Sequence, residues 1–495
     1  MVMVYADIST LLDAIVAGDR QRVIQATLRL LGAEKVPPAK VAARVGIPAA
    51  WGDGEIHPLM ALSVSGRVAE WMRSLPIGSE PGAETRRDLA PALPLVQGFL
   101  AVAEPLRRGL PEPHPELPEP VVPADVHHKD GALGALREAV ATHDLTRTRS
   151  ILMGYYATGT DYRSVLNAIY AALDHRYPEG GHPLIAAAAG SDLLDMADWG
   201  DRMPAYIYWL TPSMVSTEPE TAPAEAARAY AAVAEHDLSW LRKRLAIPKE
   251  EAAGAGFQRA VVAGDAAAAC NAVSRALRDG ATPIGVAAAL AVAAAQQVNA
   301  VPRGDLVALV RAGHVLLYAH AIHVAMLQTQ NPEVWPLLYT GACAVNVNRV
   351  ADEPGAVERG AAATPSTPFG GLMPAGILRT LEQQLAQGDT AGAVAAARRY
   401  IQMGHPPRAL AGVLGNAAAS RDILPEQPHT LHTLPMVAAA AGEYLTLPRG
   451  LQADGHMTLL SAAIRLCSEL GSELGSEQRT IADQVQAAIE EQAAS

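Results

Sequence analysis

A short phrase in which histidine precedes a small apolar run recurs along this chain, and it limits what the chain can fold into. It stands at His57-Pro58-Leu59-Met60-Ala61 and again at His182-Pro183-Leu184-Ile185-Ala186. Looser forms occur at His314-Val315-Leu316-Leu317 and at His429-Thr430-Leu431-His432. Proline is tolerated in the first turn of a helix, where its missing N–H leaves nothing unpaired. Each phrase therefore reads as a helix start with a histidine at its mouth. A second landmark precedes each one: Gly18-Asp19, His143-Asp144, Gly264-Asp265 and Gly388-Asp389, 121 to 125 residues apart. A glycine follows each aspartate after 13 to 15 residues, at Gly32, Gly159, Gly280 and Gly404. The histidines follow at 38, 38, 49 and 40 residues. Three landmarks in one order, four times over, predict four diverged repeats. Their bounds are 1–125, 126–248, 249–372 and 373–495.

The repeats are expected to be helical. Half of the residues are hydrophobic but only 4% are aromatic, and alanine fills most of the apolar positions. Alanine is the best helix former, and β-branched runs are few. The expected fold is all-α: four pseudo-repeats of four or five helices, packed as a compact array around a central pocket. The alternative is an open solenoid, in which repeats stack without closing.

Aspartate after glycine suits a helix N-cap following a C-cap. On that basis the first repeat has helices over 8–17, 21–31, 37–45 and 57–73, with a fifth over 88–110. Two linkers are expected, at 111–123 and 212–223, where proline is dense. A helix over 224–245 precedes the third repeat, whose helices run 250–263, 266–278, 283–298 and 306–328. The Gly/Pro/Ser/Thr-rich stretch 352–376 leads to the fourth, with helices over 377–386, 391–403 and 408–419, the His429 region, then 457–470 and 477–492.

A net charge of −12 argues against a nucleic-acid surface, which needs clustered Lys and Arg. Cys270, Cys343 and Cys467 form no paired motif and read as small buried hydrophobes in a reducing compartment. The first ten residues carry no basic region, and the Ala/Val-rich run 285–295 is short for a bilayer. A cytoplasmic protein without membrane contact is expected. Phosphate loops, GxGxxG, HExxH and GxSxG are all missing from the sequence.

The histidines remain as carriers of chemistry. If the repeats close on one another, one histidine from each meets the others. Imidazole nitrogens suit iron, zinc, copper and nickel. The candidate metal ligands are His57, His182, His314, and His429 or His432, with His456 in Asp454-Gly455-His456 as an extra one. His320 and His323, three apart on one helix face, read as packed or hydrogen-bonded residues on a face turned away from His314. Asp192, Asp195 and Glu55 are the expected carboxylate or carbonyl partners of the ligating rings.

The histidine before each Ala-rich helix, the His-Pro-Leu-Ile phrase at His182 and the Asp-Gly-His at Asp454–His456 resemble the questin oxidase-like family. That resemblance implies a helical oxidase with a non-haem iron held mostly by histidines and a lysine-derived carboxylate, acting on polycyclic aromatic ketones. It puts ligands at His57, His182, His314 and His429 or His432. The chain departs from the family at Leu459, where the family has the lysine. A Rieske cluster is excluded, because its Cys and His pairs are missing. The expected function is a metal-dependent, iron-favoured oxidase or oxygenase using O₂ on an apolar, aromatic or polyketide-like small molecule, with an electron-donor protein as an open partner. The alternative is a non-catalytic helical repeat protein that binds a ligand or partner on a concave face.

Overall fold

The computed structural model describes residues 7–52, 55–78, 80–159, 162–174, 176–199, 202–219, 221–234, 252–254, 256–329, 331–350, 373–423, 430–470 and 480–494. Among them helices account for all regular structure, with no strand. The all-α class is as expected from composition. The stretch 352–372, the later part of the helix expected over 224–245, His429 and residues 471–479 lie outside the described residues.

The capping aspartates act as the sequence suggests. Asp19, Asp144, Asp265 and Asp389 each accept a hydrogen bond from the backbone N–H three residues on, at 2.9–3.1 Å. Each satisfies an N–H that the helix cannot use. The residue before each aspartate takes a left-handed backbone: Gly18, Gly264 and Gly388, and in the second quarter His143 at φ +59°. So the chain turns from one helix into the next with the same cap and the same left-handed residue four times, although Asp265 itself is more extended than the other three.

The first quarter contains α1 (Ser9–Val16), α2 (Arg20–Gly32), α3 (Pro38–Ala49), α4 (Ile56–Met72), α5 (Ala83–Leu89), α6 (Ala92–Ala101) and α7 (Ala103–Gly109). The single helix expected over 88–110 is thus three short ones, broken near Pro91 and Pro105, which lack an N–H. The second quarter contains α8 (Gly131–Ala141), α9 (Leu145–Thr158), α10 (Arg163–Ala172), α11 (His182–Met196), α12 (Met203–Met214) and α13 (Ala222–Ala234). Helix α12 overturns the start of the second linker, because it continues through Pro212. The carbonyl that a residue 212 N–H would have bonded is that of Tyr208, and Arg149 Nη2 donates to it instead at 3.0 Å.

The third quarter has α14 (Phe257–Val262), α15 (Ala266–Asp279), α16 (Pro283–Ala300), α17 (Leu306–Gln328) and α18 (Pro336–Val347). The fourth has α19 (Pro374–Ala386), α20 (Thr390–Gln402), α21 (Pro407–Ala419), α22 (Thr430–Thr446), α23 (Gln452–Arg465) and α24 (Thr480–Ala494). Helices α16 and α17 are long and apolar enough to cross a membrane by length and composition, although about 70% of each is buried inside this protein. The apolar stretch is longer than 285–295, which corrects the sequence reading.

Helices α4, α11, α17 and α22 form a closed ring: α4 packs on α11 and α22, and α17 packs on the same two. They are apolar on nearly every side, as suits buried helices. A second set surrounds them. Helix α3 packs against α4 and α11, α10 against α11 and α17, α16 against α17 and α22, and α21 against α22 and α4. The contacts of α21 and α22 with α4 join the last quarter of the chain to the first.

That closure depends on small residues. A Cβ at Gly412 would lie 3.1 Å from the backbone of Met72, and one at Gly415 would meet Val68 at 2.5 Å. Gly412→Val should therefore force α21 away from α4. The expected loss is about 1–3 kcal/mol of unfolding free energy, as for other overpacked cores, measured by urea denaturation.

Candidate metal centre

Each ring helix brings one histidine to the same level. His57 and His182 lie in the first turns of α4 and α11, and His432 is the third residue of α22. His314 is different. It sits in the middle of α17, two turns past the N-cap Asp305, so the expectation of a helix start fails there. Those extra turns account for most of the longer offset from Asp265. Of the two candidates in the fourth phrase, His432 lies beside the other three rings, and His429 is outside the described residues.

The four rings are packed face and edge. His57 Nε2 lies 3.2 Å from His182 Nε2, and His314 Nε2 lies 2.7 Å from His432 Nδ1. Ring centroids are 4.8 Å apart for His57 and His432, 4.9 Å for His182 and His314, and 5.4 Å for His182 and His432. One nitrogen each from His57, His182 and His432 fall within 4.8 Å of one another. Two nitrogens about 2.1 Å from a single ion and about 100° apart would be separated by about 3.2 Å, the separation of His57 Nε2 and His182 Nε2.

The turn before α11 is built to orient His182. Glu179, Gly180 and Gly181 all have left-handed backbones, at φ +49°, +74° and +87°. A Cβ at Gly181 would come within 2.2 Å of the Tyr318 ring, so only glycine fits. This turn delivers the Glu179 carbonyl to His182, whose Nδ1–H donates to it. The Nε2 lone pair is thereby aimed at the other rings, the arrangement that metal-bound imidazoles use. Asp192, Asp195 and Glu55 do not play this part, contrary to expectation. Asp192 pairs with Arg67, Asp195 accepts from Trp199, and the Glu55 carbonyl accepts from Trp209 Nε1 at 3.0 Å.

Burial favours the neutral form of His57, His182 and His314. The His57 ring is pushed down to about 4 by burial and then by His182. The His314 ring is pushed down to about 3 by burial, His182 and His57. Burial lowers His182 as well, against the opposing pull of the Glu179 carbonyl. Neutral imidazole is the form that ligates. His456 is not part of the cluster: its ring packs on Tyr444 at 4.9 Å.

Further along the same axis lies a polar layer that sequence reasoning did not assemble. Arg67 and Asp192 stand ten residues beyond His57 and His182, and Glu443 eleven beyond His432. His320 and His323 come from α17. His320 Nδ1 donates to Glu443 Oε1 at 2.6 Å, and His323 Nδ1 donates to Oε2 at 2.8 Å. Arg67 Nη1 lies 3.1 Å from His320 Nε2 and, having only donors, fixes the His320 proton on Nδ1. Arg67 also forms an ion pair with Asp192. His320 therefore faces the axis and is not turned away from it, as the helix-face reading held. A small void of about 30 Å³ lies under Met60, Ile185, Leu317 and Pro435, with Arg67, Asp192 and His320 as its floor. The signal was present: a lone Arg in α4 and a lone Glu in α22 interrupt otherwise apolar helix faces.

A cavity of about 400 Å³ opens onto His182 and His314 from the protein surface. A separate open cleft of about 290 Å³, beside Arg86, Arg379 and Glu382, is lined by none of the ring histidines. Comparison with known proteins finds no matching family model, no matching curated protein and no matching solved structure.

The Glu443 carboxylate is fully buried. Burial alone would raise it, but His323 and His320 pull it down to about 2 from 4.5. A depressed carboxyl stabilises the fold above its unfolded value and loses that contribution as pH falls through the folded one. Glu443→Gln should lower the unfolding free energy at pH 7 by about 3–5 kcal/mol, because it removes the buried charge to which His320 and His323 both donate. Urea titrations across pH should show the gap to the parent protein closing between about pH 4.5 and about 2.

Proposed function

We propose that the histidine layer holds a divalent transition metal, iron in the first instance, and that the protein is a non-haem oxidase or oxygenase of an apolar small molecule. The observation that carries this reading is the meeting of His57, His182, His314 and His432 at one level of a closed helix ring. Three further features support it. The imidazoles are kept neutral by burial, His182 is oriented through its second nitrogen, and a cavity reaches the rings from outside. On this reading the shared caps and the cyclic packing reflect four diverged repeats around a central site, each contributing one ligand.

A bound iron(II) would supply the one-electron chemistry that O₂ requires, with coordination positions left for O₂ and a substrate oxygen. The chain's own contribution is positioning and charge. Three of the histidines stand at helix N-termini, where the partial positive charge of the backbone favours an anionic oxygen nearby. A substrate phenolate or enolate would be held there in its ionised form. The apolar wall at Met60, Ile185, Leu317 and Pro435 keeps water away from the inner face of the rings. The resemblance to the questin oxidase-like family accords with an aromatic or polyketide-like substrate, and an electron-donor protein remains a partner to be sought. The alternative, a non-catalytic binding protein, would use an exposed groove and leave the histidines with ordinary backbone partners and no metal.

Protein purified without a histidine tag should carry about one equivalent of metal by elemental analysis. His182→Ala should lose metal and oxygen consumption together while the far-ultraviolet circular dichroism stays unchanged, because the residue heads its helix and carries little of the core. His320→Ala should keep the metal and lose stability. Full metal occupancy in His182→Ala would overturn the site assignment.

A further inference from the structure

The cavity over His182 and His314 is the size of a small-molecule site, at about 400 Å³. Tyr177, Pro223, Val315 and Val347 give it a largely apolar wall. Its polar groups are mostly committed. Thr221 Oγ1 donates to the Tyr177 carbonyl at 3.3 Å, and Asn348 Nδ2 donates to the Ala344 carbonyl at 2.9 Å. The Glu179 carboxylate sits 4.0 Å from His182 Nδ1. Arg311 is the exception. It is exposed, and it makes no ion pair or hydrogen bond among the described residues.

Arg311 precedes His314 by three residues on α17, so the two share a helix face about 4.5 Å apart along the axis. Helical side chains lean toward the N-terminus, which carries the guanidinium outward from the histidine layer toward the cavity mouth. The cavity thus has a cationic fork at its entrance, an apolar wall, and imidazoles at its floor.

We propose that this cavity binds an apolar monocarboxylate. The carboxylate is held by Arg311 at the mouth, the hydrocarbon body lies against Tyr177 and Val315, and the end remote from the carboxylate faces His182 and His314. A planar guanidinium matches a carboxylate with two parallel hydrogen bonds. The net charge of −12 means that general attraction of anions does not explain such a preference. The proposal gives a substrate class to the metal-centre reading and rests on it for the chemistry, though not for binding.

The test compares 2-naphthoate with its neutral isostere 2-naphthamide, binding to the full chain by calorimetry, with metal content measured on the same samples. The parent protein should bind the carboxylate about tenfold more tightly or better, the size of effect one charge-assisted pair produces. Arg311→Gln should abolish that preference and leave amide affinity and metal content unchanged, whereas Arg303→Gln, at a turn outside the cavity, should retain it. Equal affinity for the two probes, no binding of either, or a preference that survives in Arg311→Gln overturns the proposal. A metal-free protein that still prefers the carboxylate through Arg311 overturns the metal-centre reading and leaves the binding proposal standing.

Discussion

Four helices running in one direction can share an axis only if each presents a narrow face to it. In this protein α4, α11, α17 and α22 do so with Ala, Gly and a few aliphatic residues, so that their backbones come close enough to close a ring. Every other feature follows from that closure. The second ring can bridge successive helices only because the first is complete, and the contact of α21 with α4 ties residues separated by more than 300 positions. Alanine-rich helices without such packing would be marginal, since most helical stability in proteins comes from burying a face against neighbours.

Because the helices are parallel, residues at matched offsets form layers across the axis. Histidines make one layer. Met60, Ile185, Leu317 and Pro435 make the next, and Arg67, Asp192, His320 and Glu443 lie below. A polar layer this deep inside a protein costs desolvation, which is recovered only when every charge is paired. Here the guanidinium lies between a carboxylate and an imidazole, and the Glu443 carboxylate accepts from two rings. Mismatched pairing of any two ring helices by one turn would strand at least one of these charges. The polar layer thus fixes the axial register that brings the four histidines level.

Much of this arrangement is legible in the sequence, and the limits have physical causes. The helical class follows from alanine content, and the capping aspartates behave as expected, three after glycine and Asp144 after His143. His57 and His182 sit where the His-Pro phrase places them. The helix over 306–328 was legible too, and it already puts His314 nine residues past the Asp305 cap; only the likeness of the His314 phrase to a helix start misled. The polar layer was hidden because its members stand six to eleven residues beyond the ring histidines of their own helices, past the spacing of neighbours on one helix turn. Helix α12 was missed for a related reason: proline normally ends a helix, but Arg149 comes from another helix to occupy the carbonyl that Pro212 leaves free. Tertiary partners of that kind leave no local mark.

The two polar layers also differ in sign, and the difference follows from helix direction. At the histidine end, three helix N-termini converge on neutral imidazoles, so the local field is positive even without a metal. Such a field opposes protonation of the rings, in the same direction as their burial. At the other end the helices run toward their C-termini, where cations are favoured. Arg67 stands there, flanked by the carboxylates of Asp192 and Glu443. Exchanging the two layers would place buried carboxylates at a positive terminus and an arginine beside proton-free imidazoles. The axis would then have a carboxylate-rich end able to hold a hard cation. As built, it offers nitrogen donors where anionic oxygen is welcome and confines its carboxylates to an ion-paired layer out of reach. On the proposed reading, that division suits a borderline metal with an oxyanion beside it better than a simple cation site.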